Sequence, residues 1–261
     1  MLIDLHVHSH HTRGCTVSPR DAVRRAREAG LDGICFTDLN TLDGLEEIRA
    51  AGAAEGLLAL CGLEIATDHG HYLAYFPDPA RVPAPPQVFG SATPWPVREV
   101  LAKVRELGGV AVAAHPYDKS IEKPSGDFVF TLDGLAAIEG LNAARKPAAN
   151  DLAVEAADHL NLPCIGGSGA HALDGIGKGA TLFRDVVRSE ADVVAQLRAG
   201  TVYAVAIGVT PAGDGARERD RGGERFDRGG RGGRGGDRGA PGNGRRRGGR
   251  GGGRGRDRDR F

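Results

Sequence analysis

Residues 2–8 alternate, with Ile3, Leu5 and Val7 on one face and Asp4, His6 and His8 on the other, which is the period-two pattern of a strand. SPRDAVRRAREAG follows: Ser18 is a good N-cap, Pro19 suits the first helical position, and Gly30 suits the C-terminal end. GICFTD (33–38) reads as a short buried strand, residues 45–54 as a helix, and LLALCGLEI (57–65) as a third strand ending at Glu64. ATDHG then forms a turn, with HYLAYF (71–76) as the return strand of a hairpin. The stretch 77–96 holds seven prolines and predicts an irregular excursion. A helix over 97–107, a strand over 110–115, a strand over 137–142, a helix near 150–160, a strand in CIGGSGAH (164–171), a helix over 190–199 and a short strand, TVYAVAI, complete the pattern.

This alternation predicts an α/β domain with a mostly parallel sheet covered on both faces; periodicity alone leaves an open sheet and a closed barrel equally possible. The pattern stops near Pro211–Asp214. The chain therefore divides into a domain over 1–211 and an Arg/Gly-rich tail over 212–261.

Composition sharpens that division. The formal charge is zero, from 34 basic and 34 acidic residues, but sixteen of the basic and eight of the acidic ones fall in 214–261. The tail thus carries +8 and the remainder, with 18 basic and 26 acidic residues, −8. Eighteen of the 41 glycines also lie in the tail, which has almost nothing apolar to bury and is expected to stay disordered. No apolar run approaches the roughly 20 residues of a membrane-spanning helix, and MLIDLHVHSH lacks the features of a signal peptide. Cys15, Cys35, Cys61 and Cys164 are scattered with no CxxC pair. These features favour reduced thiols and a cytoplasmic location over a disulfide framework or a Cys-rich zinc site.

The histidines carry the candidate chemistry. All nine lie at or before position 171, several at strand C-terminal ends: His6 and His8, His115, and His171. The hairpin should bring His71 near Glu64. In α/β folds these strand ends share one rim, where ligands collect. His-x-His on a strand points both rings to one side, and imidazoles joined by a carboxylate suit Zn²⁺, Mn²⁺ or Fe²⁺. His10, His11, His69 and His159 read as bystanders.

DLHVHS (4–9), FTDLNT (36–41), GLEI (62–65), HYLAYF (71–76), AHPY (114–117), IEGLN (138–142) and GSGAHALDGIGKGAT (167–181) resemble, in order, the motifs of the PHP (polymerase and histidinol phosphatase) superfamily. The resemblance covers about residues 1–208. It implies a distorted (β/α)7, TIM-like barrel with a metal cluster at the strand C-terminal rim, and phosphoester hydrolysis. It further implies one metal site with His6, His8 and Glu64 as ligands, lacking a late Asp whose place is taken by Gly169. A second site retains only His171, because on this resemblance Leu39 and Arg13 stand where ligands are expected. A third keeps Glu64, His71 and His115. One or two ions sharing Glu64 are therefore expected. His171 is then the candidate general acid or substrate contact. Asp38 is kept beside it as a catalytic candidate, although strand alternation points it elsewhere. Arg13, Arg145 and Lys178 are candidate phosphate contacts.

The leading expectation is a metal-dependent phosphoesterase acting on a phosphorylated metabolite, a nucleotide or a nucleic-acid end. The alternative is a catalytically degenerate barrel that binds RNA through the tail, whose RGGRGG repeats resemble RGG boxes. A third reading is an amidohydrolase-like enzyme cleaving a C–N bond. Oligomeric state is not encoded legibly.

Overall fold

The computed structural model describes residues 1–208; the tail assigned above lies outside the described residues. The first half contains β1 (Leu2–Val7), α1 (Pro19–Glu28), β2 (Gly33–Phe36), α2 (Leu45–Glu55), β3 (Leu58–Cys61), β4 (Leu63–Thr67), β5 (Gly70–Tyr75), α3 (Pro85–Phe89) and α4 (Val97–Glu106). The second half contains β6 (Val110–Ala114), β7 (Leu135–Asn142), α5 (Pro147–Leu160), β8 (Cys164–Gly167), β9 (Gly179–Phe183), α6 (Glu190–Ala199) and β10 (Val202–Ala206). Local chemistry sets the helix starts. The Ser18 side chain accepts the Asp21 N–H ahead of α1, and Ser189 and Asp192 form a capping box on α6.

The strands form two five-stranded sheets, in the orders β10-β9-β1-β2-β3 and β4-β5-β6-β7-β8. This corrects the expectation of a single barrel and of a mostly parallel sheet. Four neighbouring pairs are parallel (β1–β2, β2–β3, β6–β7, β7–β8) and four antiparallel (β1–β9, β9–β10, β4–β5, β5–β6). Where the sheets meet, isolated bridges join Val7 to Ala170 and Leu39 to Glu64.

The break falls inside what reads as one strand over 57–65. Gly62 separates β3 from β4 and donates its N–H to the Phe36 carbonyl at 2.7 Å. A Cβ at this position would stand 3.0 Å from the Tyr75 ring and 3.1 Å from the Ala74 carbonyl oxygen. A larger residue would have to push these neighbours back by a few tenths of an ångström, so glycine suits the close passage where the chain changes sheets. Glu64 consequently lies inside β4 and not at a strand end.

Three apolar clusters follow from the two sheets. Ala22, Val23 and Ala26 of α1 and Ile48 of α2 pack on Ile34 and Phe36 of the first sheet. Val100 and Val104 of α4 and Ala153 and Ala157 of α5 pack on Tyr72 and Ile138 of the second. Between the sheets, Ile3, Leu5, Leu60, Leu73, Val112 and Ile165 pack with Val193, Val194 and Leu197 of α6. The end of helix α6 lies near the starts of β6 and β7, where Arg198 donates to the Gly108 carbonyl at 2.9 Å and shares a cavity with Val110 and Leu135. Strand β1 does not keep one apolar face: its register with β2 shifts between Asp4 and Val7, and Val7 joins the α1–α2 cluster while Ile3 and Leu5 stay between the sheets. An irregularity of this kind re-aims the side chains around it. Among the described residues no helix is long and apolar enough to cross a membrane, and all four cysteines are free.

Candidate metal centre

Glu64 is the hub of the rim. It is buried, and four imidazoles surround its carboxylate. His71 Nδ1 lies 3.0 Å, His115 Nε2 3.2 Å and His6 Nε2 3.6 Å from Oε1, and His8 Nε2 lies 3.3 Å from Oε2. His6, Glu64 and His115 form one candidate set, their ligand atoms all within 4.8 Å of one another. The two ligand groups expected from sequence are thus merged around one carboxylate.

Hydrogen bonds behind the rings assign their protons. Thr12 Oγ donates to Asp38 Oδ1 at 2.7 Å and accepts the Leu39 N–H at 3.0 Å. Its remaining capacity is as an acceptor, so His8 Nδ1, 3.0 Å away, is the protonated nitrogen of that ring. His8 Nε2 therefore turns a lone pair inward. His6 Nδ1 donates to Glu139 Oε1 at 2.8 Å, which turns His6 Nε2 inward as well, 3.3 Å from His8 Nε2. Two imidazole nitrogens and a carboxylate oxygen converge on one small volume. Such donor chemistry fits a divalent transition ion. The His115 backbone is strained, with φ at +30°, uncommon for a residue with a Cβ, and is held there by its N–H donating to Glu139 Oε2 at 2.8 Å.

The electrostatics are those of a site that demands positive charge. Burial opposes a charge on His6, yet the Glu139 and Glu64 carboxylates outweigh it and raise the ring to about 10. Burial drives His8 down to about 3, Glu64 resisting. Burial likewise opposes ionisation of Glu64, but the His6 charge and hydrogen bonds from His115, His6 and His71 hold it well below the usual carboxylate range.

The remaining expected site residues divide. His171 is exposed at the rim and stacks on the His8 ring at 3.9 Å between centroids. It shares a cleft of about 330 Å³ with Arg145 and Lys178. Arg145 is ion-paired to Asp118 at 3.1 Å. Arg13 is exposed and does not line that cleft. Asp38, expected among the catalytic residues, has both oxygens committed: Ser9 N–H and Thr12 Oγ to Oδ1, Ser9 Oγ to Oδ2, each at 2.7 Å. It fixes the loop that supports His8. His10 and His11 do not swing in to replace lost ligands; both point to Glu47.

Sequence reasoning missed two residues. Glu139, on β7, is fully buried and orients both His6 and His115. Asn142 is equally buried and donates to both Glu139 oxygens at 3.2 Å. The available signal was a carboxylate and an amide inside the apolar run AAIEGLN, where neither is affordable without partners. Asp4 is a third such group, accepting Ser168 N–H at 2.8 Å and Gly177 N–H at 3.2 Å; burial pushes it up to about 6.

Asn142 also explains Gly169. At φ +60°, a Cβ on residue 169 would stand 2.5 Å from Asn142 Oδ1 and 2.6 Å from Nδ2. The amide fills the space that a side chain at 169 would need. Gly169→Asp is therefore expected to destabilise the protein by roughly 2–4 kcal/mol, combining overpacking with left-handed strain. Urea unfolding checks this, and the loss in Gly169→Asp/Asn142→Ala should be smaller than the sum of the two single losses, because the overpacking is relieved while the left-handed strain remains. Parent-like stability of the single variant would show that the two positions do not compete.

Against this geometry, a sequence profile of the PHP domain matches residues 4–161, more than half of the chain. The chain belongs to the PHP domain family. A second profile, described as PHP-associated, matches residues 147–202. An uncharacterised protein of Methanocaldococcus jannaschii is 29% identical to this PHP protein over 153 residues, 55% of this chain and 82% of the relative. A candidate metal-dependent phosphoesterase from Bifidobacterium adolescentis superposes with a TM-score of 0.56 at 22% identity, over 76% of this chain and 96% of its own. A two-domain Bacteroides vulgatus protein containing a predicted PHP-like metal-dependent phosphoesterase gives 0.59 at 19% identity, over 79% and 65%. An amidohydrolase from Chromobacterium violaceum with bound sulfate gives 0.57 at 18% identity, over 78% and 97%. At such identities the likeness is one of fold, and these structures share the mixed α/β architecture of this PHP domain.

Proposed function

We propose that this PHP protein is a metal-dependent phosphoesterase, hydrolysing a phosphomonoester or phosphodiester of a small metabolite, a nucleotide or a nucleic-acid end. The observation that carries the reading is the convergence of His6 Nε2 and His8 Nε2 on the Glu64 carboxylate, 3.3–3.6 Å apart, where the His6 proton now supplies the positive charge that an ion would replace. One or two ions of Zn²⁺, Mn²⁺ or Fe²⁺ would be held by His6, His8, Glu64, His71 and His115. Leu39 and Gly169 supply no side-chain donor, which leaves His171 without enough partners for an ion of its own. A bound ion supplies an acidified water and a polarised phosphoryl oxygen.

The chain's own residues do the rest. Glu139 keeps the proton on His6 Nδ1 and so keeps Nε2 turned toward the centre. Thr12, anchored by Asp38, does the same for His8. Lys178 and Arg145 line the cleft beside His171 and would bind the phosphate, Arg145 being ion-paired to Asp118. His171, stacked on His8, would protonate the leaving oxygen. The phosphoesterase descriptions of two fold relatives support this reading over the C–N alternative, which the amidohydrolase description of a third supports.

The test is metal analysis of the purified protein, followed by assays on p-nitrophenyl phosphate and bis(p-nitrophenyl) phosphate with and without chelator. Bound metal and turnover that chelator removes and Zn²⁺, Mn²⁺ or Fe²⁺ restores are expected. Protein that binds none of these ions and turns over neither substrate would overturn the reading.

A further inference from the structure

A second group of donors lies outside this centre. His10 and His11, on the loop between β1 and α1, each place Nε2 2.9 Å from the same oxygen, Glu47 Oε2, in the first turn of α2. The three ligand atoms lie within 4.8 Å of one another. None of these residues contributes to the Glu64 cluster.

We propose that His10, His11 and Glu47 form a second, peripheral binding site for a divalent transition ion of the Zn²⁺ type. This rests on donor identity and placement, independently of the phosphoesterase reading. Two imidazoles and one carboxylate are a ligand set zinc accepts, and a fourth position is left to water. A tetrahedral zinc with bonds of about 2.0–2.1 Å sets its ligand atoms about 3.3–3.4 Å apart. Nitrogens now at 2.9 Å from the carboxylate oxygen need to part from it by only about 0.4 Å to admit the ion. The site is accessible, with His10 and Glu47 side chains 39% and 45% exposed and His11 22%.

The loop presenting the histidines is built and not loose. His10 N–H donates to Val17 O at 2.8 Å, Thr12 N–H to Ser9 O at 2.9 Å and Cys15 N–H to Thr12 O at 3.0 Å. On the other side, the start of α2 is fitted to the ring: a Cβ at Gly44 would lie 2.7 Å from His11 Cδ2. Each Nε2 becomes a ligand atom once its proton moves to Nδ1 of the same ring. An ion here ties the β1–α1 loop, which carries Thr12 and Arg13, to α2.

The experiment titrates metal-free full-length protein with ZnCl₂ in competition with a chromophoric chelator. The variants are His10→Gln/His11→Gln/Glu47→Gln and, separately, Glu64→Gln. The triple variant is expected to lose about one zinc equivalent, together with that equivalent's contribution to thermal stabilisation, while keeping chelator-sensitive turnover if the parent has it. Glu64→Gln is expected to retain the same equivalent. Unchanged stoichiometry and affinity in the triple variant overturn the proposal. So does loss of the equivalent in Glu64→Gln, because the ion would then belong to the buried centre. Failure of the phosphatase assays alone leaves the titration readable and touches only the functional reading.

Discussion

Glu64→Gln is expected to lower kcat/KM for any phosphoester substrate by about a thousandfold or more and to strip the buried centre of its metal. The substitution keeps the shape of the side chain and removes the charge that four imidazoles face. If the bound ion supplies at least about 4 kcal/mol of transition-state stabilisation, losing it costs three decades at 1.36 kcal/mol each. The neutral amide also presents two N–H groups to nitrogens whose lone pairs are needed for the ion, so weaker metal binding should be visible before any kinetic effect. Metal content after dialysis and turnover at saturating metal are the measurements. A Glu64→Gln protein that keeps its metal and its turnover would remove the hub from the account.

Glu139→Ala should have the second-largest effect, and on two observables together. The Glu139 carboxylate is fully buried and accepts from His6 Nδ1, His115 N and Asn142 Nδ2. Deleting it leaves three buried donors without an acceptor and strands the His6 charge. Breaking a buried charged pair from one side costs about 3–5 kcal/mol, which urea unfolding would register. It also releases the His6 ring to either tautomer and removes the hydrogen bond that holds His115 at positive φ. Outer partners of this kind are worth about 10–100-fold in metal affinity. Glu139→Gln keeps one acceptor oxygen and should fall between Ala and the parent on both scales. Stability loss without any change in metal affinity would make Glu139 a packing residue and not a positioning one.

The candidate site was legible to the extent that it is written in residue types with few other uses. A His-x-His pair on a strand, imidazoles following apolar strands and a glutamate ahead of a hairpin point to the same rim, and the structure brings His6, His8, Glu64, His71 and His115 to one carboxylate. The role the structure gives Asp38 was not legible, because strand alternation says which face a side chain takes and not which hydroxyls await it there; Ser9 and Thr12 bind both its oxygens. Glu139 was overlooked because a single acid inside an apolar strand has no periodicity to mark it. Strand β9 was missed as well, and with it the antiparallel flank of the first sheet.

Local sequence determined most of the strand–helix order, the helix cap at Ser18 and the residue types of a cation-binding rim, because these follow from side-chain chemistry over a few neighbouring positions. It also determined what is missing, since Leu39 and Gly169 carry no donor atom in any fold. The division into two sheets, the turn of the chain at Gly62, the tautomers of His6 and His8 and the filling of the Gly169 space by Asn142 were decided by tertiary structure. Each depends on contacts between residues tens of positions or more apart, where the distance of closest approach, and not the identity of either residue alone, sets the outcome.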